Sequence, residues 1–73
     1  MTKNKLKESD YRKKVIEQIL SIRDSGATNM FDVSTVQRLA DELEYYELVG
    51  FITTHRPEYL KFILTGNEDL ISS

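Results

Sequence analysis

Nucleophilic catalysis needs a Ser, Thr, Cys or Lys held beside a base, and the one imidazole this chain offers for that task is His55. His55 stands in Thr54-His55-Arg56-Pro57, at a junction between helical patterns, and its spacing pairs it with no serine or orienting carboxylate. It reads as a surface or interhelical hydrogen-bonding group. The carboxylates Asp41, Glu42, Glu44 and Glu47 cluster at a second junction. Such groups can do acid–base work or hold a divalent cation. A Ca²⁺ loop, however, needs alternating oxygen ligands and a Gly at fixed offsets, so the cluster reads as a charged outer face. Gly26, Gly50 and Gly66 are isolated and build no phosphate-cradling loop. With no Cys there is no thiol nucleophile, thiolate metal site or disulfide. The expectation is a protein that is not an enzyme, with no catalytic residue, metal or cofactor.

The elements that would position these groups are helical. Tyr11, Val15, Ile16, Ile19 and Leu20 recur at three- and four-residue spacing and predict one amphipathic helix, with Arg12, Lys13, Glu17, Gln18 and Ser21 opposite. Ser9, with Asp10 behind it, is the expected start. Gly26 is the expected end, at a position that needs a positive φ. Ser34-Thr35-Val36-Gln37 fits a capping box and predicts a second helix, with Asp32 as the competing cap. Its predicted inner face is Val36, Leu39, Ala40 and Leu43. The apolar phase then slips, which a bend at Glu44–Tyr45 or a helix buried on two sides would explain. The bend is preferred and gives a third helix near Tyr46–Thr54. Gly50 inside that helix marks a close helix contact. Pro57 opens a short fourth helix with Tyr59, Leu60, Ile63 and Leu64 inward and Phe62 beside them, and Gly66 ends it. These signals predict an all-α fold, a compact bundle of about four short helices with a helix-turn-helix-like pair in the middle. Residues 1–8 are expected as a basic flexible N-terminus and 9–66 as a single helical domain. Residues 67–73 are expected as a mostly unstructured tail in which Leu70 and Ile71 could dock.

Length and charge narrow the partners. Seventy-three residues, 40% of them hydrophobic, allow one domain with a thin core that needs dense helix packing or a partner, self-association included. The N-terminus lacks the apolar core of a signal peptide, and no apolar run approaches the roughly 20 residues of a membrane span. Residues 1–14 carry Lys3, Lys5, Lys7, Arg12, Lys13 and Lys14 against Glu8 and Asp10, a balance of +4 within a chain of net charge −2. That balance is modest beside true nucleic-acid arms. A recognition helix at Tyr46–Thr54 would present Glu47, Thr53, Thr54 and His55, with Glu44 and Tyr45 at its entry. Groove readers present Arg, Lys, Asn or Gln instead, so nucleic acid is disfavoured as a partner. Ten carboxylates over the remaining 59 residues are also too sparse for a mimic of the phosphate backbone.

Aromatic residues supply the remaining candidates. Adjacent helical residues point about 100° apart, so of Tyr45 and Tyr46 one belongs to the core and the other to the surface. Tyr is large, rigid and amphipathic, and it is enriched at interfaces. Met30 and Phe31 are expected to plug the gap between the first two helices, with one of them available as a surface anchor.

Five segments together point further: Ile22-Arg23-Asp24-Ser25-Gly26, Thr28-Asn29-Met30-Phe31-Asp32-Val33, Val36-Gln37-Arg38-Leu39-Ala40, Tyr46-Glu47-Leu48-Val49 and Phe62-Ile63-Leu64-Thr65-Gly66. Over about residues 15–66 the chain resembles a family of short phage and prophage proteins from Firmicutes that is catalogued as a domain of unknown function. The resemblance implies a mobile-element origin and a host-cytoplasm setting, and it implies no activity. Members of that family often have Gly where this chain has Glu44, which suits a bend there. The functional expectation is a phage or prophage accessory protein that binds a host or phage protein, such as an inhibitor of a CRISPR nuclease or another host defence. The alternative is a small helix-turn-helix-type DNA-binding regulator. The expected contact residues are Asn29, Met30, Phe31, Arg38, Tyr45, Tyr46 and Glu47.

Overall fold

The computed structural model describes residues 8–72. They form α1 (Glu8–Ser25), α2 (Val33–Glu42), α3 (Tyr46–Thr54), α4 (Arg56–Thr65) and α5 (Asp69–Ser72), with no strand among the described residues. The chain is a small all-α bundle, as its periodicity predicts. Apart from Glu8, the expected basic segment 1–8 lies outside the described residues. Ser9 lies within α1 (Glu8–Ser25) rather than capping it.

α3 is the hub. It packs against α1, α2 and α4, and its Leu48, Phe51 and Ile52 are buried among them. α1 contributes Val15, Ile16, Ile19 and Ile22 to the same core. The centre of its stripe runs through Val15, Ile19 and Ile22, and Leu20 is only partly covered. Gln18, expected on the solvent side, is buried. It flanks the stripe on the edge where α3 arrives. Its Oε1 accepts from the Leu48 N–H (2.9 Å) and its Nε2 donates to Glu47 Oε1 (2.9 Å). The first N–H groups of a helix have no partner within it, and Tyr45, the N-cap of α3, makes no side-chain capping bond. Gln18 therefore caps α3 from a neighbouring helix. Tyr11 adds a third bond at this end, its hydroxyl donating to the Glu47 carbonyl (3.2 Å). Beside it, Gly50 brings α3 close to α1: a Cβ there would stand 3.8 Å from the Tyr11 hydroxyl, ordinary contact.

The start of α2 differs from the expected capping box. Asp32 is the N-cap, accepting from the Thr35 N–H (3.4 Å) and the Thr35 hydroxyl (2.8 Å), and the helix begins at Val33. Gln37 instead reaches across to Thr53 on α3, donating to its hydroxyl (2.8 Å). Val33, Val36 and Ala40 are buried, but Leu43, in phase with Val36 and Leu39, emerges at the helix end and is exposed. The bend expected at Glu44–Tyr45 is a Schellman closure: the Tyr45 N–H donates to the Ala40 carbonyl (2.7 Å) and the Glu44 N–H to the Asp41 carbonyl (3.1 Å). Glu44 takes the left-handed conformation that this motif requires (φ 63°), normally the place of a glycine. A side chain there costs about 1–2 kcal/mol.

The second half closes on the first. His55 ends α3 and begins α4, with Pro57 in the first turn of α4 and Gly66 as its left-handed cap (φ 72°). The inward residues of α4 are Tyr59 and Phe62, with Leu60 and Ile63 partly covered and Leu64 exposed, against the expected order. The covered face is centred between Tyr59 and Phe62, one residue away from the predicted stripe. The expected unstructured tail gives way at Asp69–Ser72, where α5 packs on α1 and α4 and buries Ile71. Arg12 on α1 donates to the Ile71 carbonyl (2.8 Å).

Candidate functional site

The seven residues singled out above do not form one patch. Met30 is buried, and its carbonyl accepts from the Tyr59 hydroxyl (2.7 Å). Asn29 is exposed, yet its Oδ1 accepts from the Phe31 N–H (2.9 Å), and its carbonyl accepts from the Asp32 N–H (2.9 Å). Both residues hold the α1–α2 loop. Phe31 does not help plug the gap: it is 52% exposed at the loop tip. A buried bond below and a local turn beside it fix its backbone, so Phe31 is a large apolar side chain on a rigid mount.

Tyr45 and Tyr46 divide between core and surface, Tyr45 as the non-helical N-cap of α3 and Tyr46 as its first residue. Tyr45 packs against the core, and its hydroxyl lies 3.0 Å from Ser21 Oγ on α1. Tyr46 is 59% exposed. Glu47 turns toward α1, where the Gln18 amide, then its own backbone N–H, hold its carboxyl below the ordinary value, with Lys14 assisting against partial desolvation. It positions α3 and is not displayed by it. Arg38 is exposed on the flank of α2, with Ser34, Asp41 and Glu42.

Leu43 is the residue that periodicity hid. Its phase predicts burial, and only its place at the terminus of α2, past the cover of the neighbouring helices, leaves it 51% exposed. Leu43 and Tyr46 flank Glu44 at one end of α2, and Phe31 stands at the other. The ten residues of α2 separate these ends by about 15 Å. That spacing fits within a standard protein interface, whose footprint is about 800 Å² per partner.

The other chemical candidates serve the scaffold. His55 stacks on Phe51, with ring centroids 5.1 Å apart and planes 9° from parallel. Its Nδ1 lies 2.7 Å from the Thr54 hydroxyl, whose single proton is already directed at the Gly50 carbonyl. The contact therefore needs a proton on Nδ1, donating to Thr54. Among the described residues, no group of three or more His, Asp or Glu side chains is arranged to hold a metal ion. A shallow groove of about 330 Å³ beside α1 is lined by Lys13, Ile16, Glu17, Leu20 and Glu68. Its polar groups are exposed rim charges, which do not fix a small molecule as convergent buried polar groups would. Among the described residues, no helix is long and apolar enough to cross a membrane.

No curated protein and no solved structure matches the chain. The model of the domain of unknown function DUF5049 matches residues 11–67, most of the chain, and the protein belongs to that family.

Proposed function

We propose that this chain is a phage or prophage accessory protein that acts without catalysis, by occupying a host or phage protein in the host cytoplasm. Inhibition of a host defence system, a CRISPR nuclease among them, is a role that such occupancy would serve. The observation that carries the reading is the pair of exposed apolar ends of α2, Phe31 on one side and Leu43 with Tyr46 on the other. Each sits on backbone that hydrogen bonds already hold in place. Anchors ordered before binding lose little entropy on association, and aromatic anchors carry much of the energy of protein interfaces. The sequence resemblance to phage and prophage proteins supports the setting.

The helix-turn-helix-type regulator is the second reading, favoured by the α2–α3 pair and its short turn. Recognition helices meet base edges with their N-terminal residues. Here that end carries Tyr46 and a Glu47 committed to Gln18, beside the exposed carboxylates of Asp41, Glu42 and Glu44. This arrangement opposes a phosphate backbone.

A tagged pull-down from infected host lysate, read by mass spectrometry, tests the two. The expected result is a specific partner captured by the native chain and lost by the Phe31→Ala/Tyr46→Ala variant. Nanomolar, steeply salt-dependent binding of duplex DNA in a gel shift would overturn the reading in favour of the regulator.

A further inference from the structure

Leu43 and Tyr46 lie in a stretch of chain with three carboxylates, Asp41, Glu42 and Glu44, against one nearby cation, Arg38. Asp41, Glu42 and Glu44 are all exposed within the same six-residue stretch as Leu43 and Tyr46, the corner between α2 and α3. Among the described residues, none of the three carboxylates enters an ion pair or side-chain hydrogen bond. Arg38 lies one turn before Glu42, at a spacing that permits pairing, and the two stay apart. The corner thus holds two large apolar groups and three negative charges, none of them used by the fold.

We infer that this corner docks against a cationic protein surface that contains an apolar recess. The inference rests on the binding reading above and names the chemistry of the partner. Leu43 and Tyr46 enter the recess, where they are desolvated. Asp41, Glu42 and Glu44 meet Lys or Arg side chains at its rim, where complementary charge selects the partner and speeds the encounter. Like charge excludes nucleic acid and anionic membrane surfaces from the same face. A small cation would leave Leu43 and Tyr46 without a role. Glu44 is informative for the test, because Gly at φ 63° relieves the backbone while it removes a charge.

The full-length protein, labelled with ¹⁵N, is titrated in an NMR experiment with three synthetic helical peptides of equal length. The first has a Leu/Phe face and a Lys/Arg face. The second keeps the basic face with Ala in place of the apolar residues. The third keeps the apolar face with Glu in place of the basic residues. The first peptide is expected to shift the amides of residues 41–46 saturably, to bind about tenfold more tightly than the second, and the third to leave them unmoved. Leu43→Ala/Tyr46→Ala is expected to weaken the first peptide about tenfold. Glu44→Gly is expected to weaken it about threefold while the melting temperature holds or rises. Shifts spread equally over Asp24, Glu58 and Glu68 would overturn the inference, as would affinity indifferent to Glu44→Gly. Shifts at 41–46 that depend on concentration in the free protein would also overturn it, by assigning the corner to a second copy. If partner capture from lysate survives such a result, the cationic recess alone is lost; if capture fails too, the binding reading falls with it.

Discussion

Gln18 illustrates how much one side chain can decide. It supplies the acceptor that the Leu48 N–H lacks and the donor that fixes Glu47, from the far side of a helix interface. Replacing it with Leu leaves a buried N–H without a partner, and urea unfolding is expected to show a loss of about 1–3 kcal/mol. The same bond sets an acid dependence. Glu47 is held below its ordinary value of 4.5, chiefly by Gln18. Its contribution to stability is therefore present above that value and lost as pH falls through the lower folded-state value. Between pH 7 and pH 3 the Gln18→Leu variant should lose less stability than the native chain. Tyr59 gives the opposite sign at the alkaline end. Burial pushes its phenol up to about 12 from an ordinary 10, so the folded state keeps a proton that the unfolded chain releases. The phenol's contribution to stability is therefore expected to be full below pH 10 and to be lost as pH rises toward 12. Tyr59→Phe should flatten that fall relative to the native chain in paired denaturation curves. At pH 7 it should cost about 1–2 kcal/mol, because the Met30 carbonyl loses its donor.

At the scale of elements, α5 does more than four residues ordinarily can. Its Ile71 is fully buried against α1 and α4, and Arg12 clasps its carbonyl. A helix this short has no stability of its own, so its order comes from that contact. Ile71→Ala is expected to lower stability by about 2–4 kcal/mol in thermal unfolding. Hydrogen exchange should show α1 and α4 losing protection together. α2 stands at the other extreme. It packs on α3 and α1 and leaves one flank and both ends to solvent, the surface on which the proposed contact rests.

The molecule as a whole divides its labour by location. Buried polar groups orient helices and brace the loop that carries Phe31, while the apolar side chains Phe31, Leu43 and Tyr46 are each more than half exposed. Phe31→Ala/Tyr46→Ala should therefore change the unfolding free energy by no more than about 0.5 kcal/mol, the usual range for surface positions. A much larger loss in urea unfolding would mean that these aromatics serve the fold rather than a partner.

Local signals in the chain determine its helices. The left-handed stops at Gly26 and Gly66, the break at Glu44–Tyr45, the Pro57 restart and the three-and-four spacing of apolar residues act within a turn or two of themselves, so they can be read in order along the sequence. The division between Tyr45 and Tyr46 matches the sequence reading by a different route, because Tyr45 is the non-helical N-cap of α3 and Tyr46 its first helical residue. What each helix buries is another matter. Gln18 turns inward because α3 needs a cap, Leu43 turns outward because α2 ends beyond its cover, and Ile71 is buried because α1 and α4 leave room for it. The bond from Gln18 to Leu48 spans 30 residues and that from Tyr59 to Met30 spans 29. No periodicity within one helix encodes such a bond, because its energy exists only once two distant segments have been brought together.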